Sequence, residues 1–571
     1  MRAELMRGTS WAAAAAWLAM AAPAWAAAPP LPGSTVPGQA APGGGGSTGN
    51  SAGVLSGADV VEGAATSPFP AAGEVRLGQL GYPYTSVAGP AAEPAQRGCS
   101  IVPSIGIEQL ATDNIRGGSR NREAEFVTSI TPGVLVTLDT ARAQGLVNYQ
   151  PSFRYYANGT SESGIDHNFN GQVLLTVVPE MVFLDLRGSA SRQAAGGGYA
   201  PGEDSVTSRD NTVQTTSFQI SPYILQRIGG TATVQVGYAF QSVTQDAGDT
   251  ASLIGPNGLP YYSNQDFTAH EVYGIVRSGE EFGRLALEGR VVSTDYVGTG
   301  VLDGAYRRIA AVEGRYAINR FITAIGEIGY EQQRYSGIPP FDLQEAVWSV
   351  GSKLNFTQDS FVTIRYGHHD GFDSASADAS LALGGRTRLY ARYGERLSTG
   401  TQRAADLLSS TTLDELGNPI DSVTGGPLTQ PFSNSLLGVQ NSLQRIKTAT
   451  ATISQDWGRD LFSLTLLREE RRPVSVDPDT FNEATRGTSA SLSWSHELTP
   501  ATTGSAFVQY GTYDSTGRGN GDVYSVGVTL ASRLAPNLVG SVQLLTSSRS
   551  EEGSSGRALQ NTIVAGVRQT F

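Results

Sequence analysis

From Ser100 to Phe571 apolar and polar residues alternate with a period of two. The runs are about ten to fourteen residues long, the length of a tilted membrane strand. In Thr231 to Gln241, residues Ala232, Val234, Val236, Tyr238 and Phe240 share one face, while Thr233, Gln235, Gly237, Ala239 and Gln241 share the other. Tyr524, Val526, Val528 and Leu530 repeat the pattern, as do Val362, Ile364 and Tyr366. A soluble sandwich buries its apolar face and uses strands of about five or six residues. Longer runs with aromatics on the apolar side fit lipid better, so the predicted fold is all-β: a transmembrane, antiparallel, up-and-down barrel.

The connections agree. Short turns fall at Asp139-Thr140-Ala141-Arg142, Val178-Pro179-Glu180, Ile228-Gly229-Gly230, Gly279-Glu280-Glu281 and Ile318-Asn319-Arg320. They recur at Thr357-Gln358-Asp359, Gly384-Gly385, Trp457-Gly458-Arg459, Glu497-Leu498-Thr499-Pro500 and Leu534-Ala535-Pro536-Asn537. Polar loops lie between them, notably Ala194 to Asp210, Asp246 to Asp266 and Thr399 to Asn441. Short periplasmic turns in strict alternation with long external loops are expected of such barrels. The tally is about 22 strands, within a range of roughly 20–24.

The chain before the barrel differs. Arg2 and Arg7, the apolar run Trp11 to Ala22 and Ala24-Trp25-Ala26 read as a secretory signal over residues 1–26. Residues 27–98 are rich in Ala, Gly and Pro and lack a sustained period, which predicts a disordered periplasmic segment. The barrel is assigned to residues 99–571.

Composition narrows the function. Charged residues make up 16%, and the formal charge is −12. Without a basic tract, nucleic acid is not an expected partner. Cys99 is the one cysteine, so neither a disulfide nor a cysteine metal site is expected.

Alternation also assigns a lumen face. With Leu285, Leu287, Gly289 and Val291 towards lipid, Arg284, Glu288 and Arg290 point inward. The same argument turns inward Arg307, Glu313 and Arg315, then Glu327 and Glu331, Arg365, Arg388 and Arg392, and Arg568. An arginine facing mid-membrane lipid would cost about 2–4 kcal/mol. Charges of both signs along a wet wall bias which solutes pass, or simply hydrate the wall as mutual pairs.

Enzyme chemistry has little support. No H-E-x-x-H or G-x-S-x-G motif occurs. His368-His369-Asp370 is the best candidate for a base or metal ligand, but adjacent strand residues face opposite sides. A solvated loop pair is the simpler reading, and no cofactor is expected.

Thr112-Asp113-Asn114-Ile115, a polar loop, then Glu125-Phe126-Val127-Thr128-Ser129-Ile130-Thr131-Pro132-Gly133 resembles the opening of the beta-barrel porin 2 family. That resemblance implies an outer-membrane barrel, in some members encoded beside exopolysaccharide synthesis genes, and it carries over no catalytic residues. Phe571, ending an amphipathic strand, resembles the assembly signal of bacterial outer-membrane barrels, although Gln569 stands where an aromatic is usual. The expected partners are outer-membrane lipid and lipopolysaccharide, the barrel-assembly machinery and polysaccharide export proteins. Two functions follow: a porin-like conduit for hydrophilic solutes or exported polysaccharide, or a closed structural barrel anchoring an envelope assembly. Receptors with barrels this wide carry a plug in the lumen, and a barrel with nothing to occlude it would be a large open pore. The N-terminal segment is too poor in apolar residues to fold as a plug, which leaves the Thr399 to Asn441 loop or a separate protein.

Overall fold

The computed structural model describes residues 98–571, apart from short stretches of which the longest are 199–207, 247–257 and 422–435. The stretch read above as a secretory signal, and nearly all of the Ala/Gly/Pro-rich segment, lie outside the described residues.

Twenty-two antiparallel strands form one closed sheet. The first seven are β1 (Gly98–Thr112), β2 (Glu125–Asp139), β3 in two pieces (Ala143–Tyr149 and Ser152–Tyr156), β4 in two pieces (Gly164–Asp166 and Phe169–Val178), β5 (Val182–Ala194), β6 (Thr212–Ile228) and β7 (Ala232–Asp246). The next eight are β8 (Phe267–Ser278), β9 (Leu285–Gly298), β10 (Tyr306–Ala317), β11 (Ile322–Tyr335), β12 (Phe341–Thr357), β13 (Ser360–His369), β14 (Phe372–Ala382) and β15 (Thr387–Ser398). After a long connection come β16 (Leu443–Asp456), β17 (Asp460–Ser475), β18 (Thr485–Thr499), β19 (Thr502–Ser515), β20 (Gly519–Ala535), β21 (Leu538–Glu551) and β22 (Ala558–Thr570).

Each strand pairs with its sequence neighbours, and β1 pairs with β22 from Ser104↔Thr570 to Thr112↔Thr562. Closure leaves no unpaired edge, as backbone surrounded by lipid requires. Residues of the family-like opening fasten this junction. Asp113 accepts from the Asn561 backbone N–H (2.7 Å) and side-chain amide (2.8 Å). The buried Asn114 side chain donates to the carbonyls of Gly118 (2.8 Å) and Leu559 (2.9 Å).

The outer face carries the exposed apolar residues, such as Val236, Val272, Val291, Ile328, Val350, Leu466 and Leu492. Aromatics gather at its margins. Trp457, Phe462 and Trp494 pack together at the short-turn end, and Trp348 meets Tyr366 edge-on nearer the loops. This is the girdle arrangement of membrane barrels.

All ten short turns named above connect strands at one end. Strict alternation fails at the other end. There β13 and β14 are joined by Asp370-Gly371 alone, and β19 and β20 by residues 516–518. A hairpin needs only two residues to reverse; here Asp370 and Gly371 supply them with positive φ of 54° and 81°.

The inner face is polar over much of its area, with Ser217, Gln219, Ser221 and Gln235 buried on β6 and β7. It also holds an apolar cluster that includes Tyr223, Tyr273, Ile275, Val292 and Ile309. Gly237 makes room for it, because a Cβ there would lie 2.4 Å from the Tyr273 ring.

Candidate functional site: the bridged lumen

The connection between β15 and β16 folds inward. It opens with helix α1 (Gly400–Ser410), in which Thr401, Ala404 and Ala405 are buried, as is Thr399 just before it. Local sequence supports the turn of chain. The Thr399 hydroxyl accepts the Gln402 backbone N–H at 3.1 Å, while the Gln402 side chain accepts the Thr399 N–H at 3.0 Å. That reciprocal exchange is a capping box, which satisfies two donors at a helix start. Gly400 is needed there because a Cβ would sit 2.5 Å from the Gln440 carbonyl oxygen, where the returning limb of the loop passes.

The helix packs on β5, β6 and β7, ten strands or so around the ring from where it begins. Charged groups fasten it at both sides. Arg403 meets Glu469 on β17 through two parallel hydrogen bonds of 2.8 Å. Arg396 on β15 pairs with Asp406 at 3.2 Å. On the far wall Arg187 of β5 donates to the Leu408 carbonyl at 2.8 Å, completing the C-terminal end of the helix where a cation is favoured. Arg403 and Leu408 are five residues apart, about 7.5 Å along a helix. Two arginine side chains and under two helical turns therefore bridge the lumen from β17 to β5.

The returning limb is equally fixed. Arg471 donates to the Gly438 carbonyl at 2.6 Å, and Gln265 to the Asn441 carbonyl at 2.8 Å. Gly198 and Val439 make backbone hydrogen bonds to Leu436 and Ala195 respectively, at 2.8 and 3.1 Å, joining the limb to the β5–β6 loop.

Beside α1 lies a second charged knot. Asp370, 2% exposed, accepts from Arg307 (3.2 Å), Gln333 (2.6 Å) and the Leu397 N–H (3.3 Å). Its own N–H donates to Glu331. Burial alone would raise the Asp370 carboxyl, but Arg307, His369 and Gln333 outweigh it and hold the group well below the usual carboxylate range. In α1 burial dominates instead: it pushes the Asp406 carboxyl up against the pull of Arg396 and Arg307.

The solvated reading of His368-His369-Asp370 therefore fails for Asp370, which the two-residue turn carries into the lumen knot. The two histidines do face opposite sides. His368 is outside with Glu345 (2.8 Å) and Asp373 (2.7 Å). His369 is inside, 3.0 Å from Ser374 Oγ and 3.4 Å from Asp370. The order Ser–His–Asp is that of a hydrolase relay, but Ser374 is 6% exposed and Asp370 is shared with Arg307 and Gln333. No group of three His, Cys, Asp or Glu among the described residues could hold a metal ion.

The other wall charges form pairs. Glu288 receives Arg277 (2.9 Å), Arg290 pairs with Glu327, and Glu313 takes both Arg315 and Arg365, the latter at 2.6 Å. Arg392 sits 3.4 Å from Asp378. Arg568, almost wholly buried, donates to Gln150 at 2.8 Å. Two of the sequence-assigned lining residues sit at the short-turn end of the wall, Arg388 on the same side of β15 as Arg392. Arg284 precedes β9 in an exposed turn, and Arg388 is exposed beside the turn that opens β15. Alternation gives the side of a strand, not the height along it. Phe571 follows β22 with its side chain exposed, its N–H bonded to the Pro103 carbonyl at 2.9 Å.

Sequence reasoning missed Arg187, Arg396, Arg403 and Asp406 as members of the site. Glu469 and Arg471 carried a signal, since they fall on the face opposite the exposed Leu464 and Leu466.

No family profile and no curated relative matches the chain. Solved structures with a similar path include the ferric-catecholate import receptor Fiu of E. coli K12 in its closed form, at 9% identity and TM-score 0.46, covering 82% of this chain and 81% of that one. The siderophore receptor PirA of Acinetobacter baumannii gives 8% and 0.45, covering 84% and 81%. OccK2 of Pseudomonas aeruginosa, in complex with glucuronate, gives 10% and 0.33, covering 82% and 98%. With every score below 0.5, these likenesses carry nothing about the solute of this chain. What stands by its own geometry is a closed 22-stranded antiparallel barrel whose lumen is bridged by one of its own loops.

Proposed function

We propose that this chain is a bacterial outer-membrane barrel forming a conduit for small hydrophilic solutes, narrowed by the β15–β16 connection. The observation that carries the proposal is α1, fixed to β17 through Arg403–Glu469 and to β5 through Arg187. A wall of paired charges and buried amides with a tethered crossbar suits selective passage: the crossbar narrows the path, and the wall offers hydrogen bonds to a hydrated solute. A polymer threading the barrel would require α1 to leave, so small solutes are favoured over polysaccharide. The apolar outer band, its aromatic margins and the signal-like N-terminus support the outer-membrane location. Membership of the beta-barrel porin 2 family rests on the opening residues alone, which serve here to fasten the β1–β22 junction.

Planar-bilayer recording of the purified mature chain tests this. Discrete conductance steps are expected, and they should grow when residues 400–441 are replaced by a short Gly-Ser turn. Silence of both proteins, each folded, would replace the conduit with the closed anchoring barrel.

A further inference from the structure

Between the Asp370 knot and the short turns, the inner wall of β8 to β15 carries more positive charge than its carboxylates balance. Arg277, Arg290 and Arg392 each have one carboxylate, in Glu288, Glu327 and Asp378. Glu313 is shared by Arg315 and Arg365, which leaves one charge over. Lys353 of β12 and Arg388 of β15 form no ion pair with any described residue and leave two more.

Register puts both on the lumen side. Lys353 stands opposite Thr363, two residues along β13 from Arg365, while Val350 and Ile364 of the same two strands are exposed outside. Its ammonium lies 4.6 Å from the centre of the Phe361 ring, which holds a cation without neutralising it. Arg388 is on the side of Arg392 and faces Ser454. In register beyond it come Ser463 and Ser493, so the ring continues with hydroxyls in place of carboxylates. The chain as a whole carries −12, so composition alone would predict the opposite sign on this wall.

We propose that this belt is an anion filter, which draws small solutes bearing a carboxylate or a phosphate through the barrel. The inference rests on the conduit reading above and names the solutes that such a conduit takes. Unneutralised cations on a wall backed by lipid raise the local concentration of anions, because the low-dielectric wall focuses their field. Ammonium and guanidinium groups also receive carboxylate and phosphate oxygens through charge-assisted hydrogen bonds. The neighbouring pairs keep the belt from becoming a trap. Arg290, Arg315 and Arg365 are held by Glu327 and Glu313, so a passing anion meets them partly satisfied and can leave again.

Reversal potentials of the full mature protein in planar bilayers test the filter. Under a KCl gradient chloride is expected to pass about threefold or more ahead of potassium. Lactate and glycerol phosphate, each set against chloride, should carry current, and current from one alone assigns the group. Lys353→Gln/Arg388→Gln strips the unpaired cations without orphaning a carboxylate and should bring the chloride preference close to one. Arg308→Gln/Arg486→Gln, the same loss of charge at exposed positions, should keep it. Potassium preference in the wild type, exclusion of both organic anions, or an unchanged preference in the folded belt variant overturns the proposal. A thiol reads the same field without current. In Cys99→Ala/Ser454→Cys, opposite Arg388, an anionic methanethiosulfonate should react about tenfold faster than a cationic one, each measured against a free thiol. Equal ratios overturn the proposal. A barrel silent in bilayers that keeps the tenfold ratio loses the conduit and not the belt.

Discussion

Arg187 on β5 holds the Leu408 carbonyl at 2.8 Å, and that one hydrogen bond ties the far end of α1 to the wall across from its origin. Arg187 is itself steadied by Asp185, 3.0 Å away.

The crossbar should therefore release when its ties are cut. Removing one partner of a buried ion pair costs about 3–5 kcal/mol. Arg403→Ala should fall at the low end, because Glu469 keeps Arg471. Arg187→Ala combined with Arg403→Ala should produce larger and noisier conductance steps than either alone. Steps identical to wild type would show that α1 does not limit the path.

The Asp370 knot gives a pH dependence of known sign. A carboxyl held below its ordinary value of 3.8 contributes stability that is complete above that value and is lost as pH falls through the depressed one. Acidification from pH 7 to 5 should leave this tie intact. Loosening should begin only below about pH 4, and Asp370→Asn should remove that acid limb. Conductance and protease accessibility of the β15–β16 connection, followed across this range, report it.

Lipid contact makes a third case. Leu466→Arg places a guanidinium on the apolar face and should destabilise the barrel by about 2–4 kcal/mol in urea titrations in vesicles. Thr465→Arg on the inner face should cost much less. Equal costs would contradict the assignment of faces.

The Ser374, His369 and Asp370 alignment is expected to hold the turn beneath α1 rather than to cut bonds. A fluorophosphonate probe should leave Ser374 unlabelled, and Ser374→Ala should conduct as wild type does. Labelling abolished by His369→Asn would make the lumen a hydrolase site.

Strands were legible because a period of two is written in every few residues, from Thr231 to Gln241 as clearly as at Tyr524 to Leu530. Glu313 and Arg365 could be placed on the inner side for the same reason. The crossbar could not. Arg403 and Glu469 are 66 positions apart, and Arg187 and Leu408 are 221. Nothing local to Gly400–Ser410 distinguishes a helix packed inside a barrel from one on a solvated loop. Asp370 was misjudged because a two-residue turn looks exposed until the neighbouring strands curl it beneath α1.

A wall built from hairpins is knitted by covalent turns everywhere except between β1 and β22. There nine opposed residues, from Ser104 to Thr112, must meet a partner nearly the whole chain away. Asp113 and Asn114 act as a buckle over that gap. Lateral opening, whether during insertion or under heat, has one place to start, and a defect in the buckle would be felt as a barrel that unzips rather than one that melts.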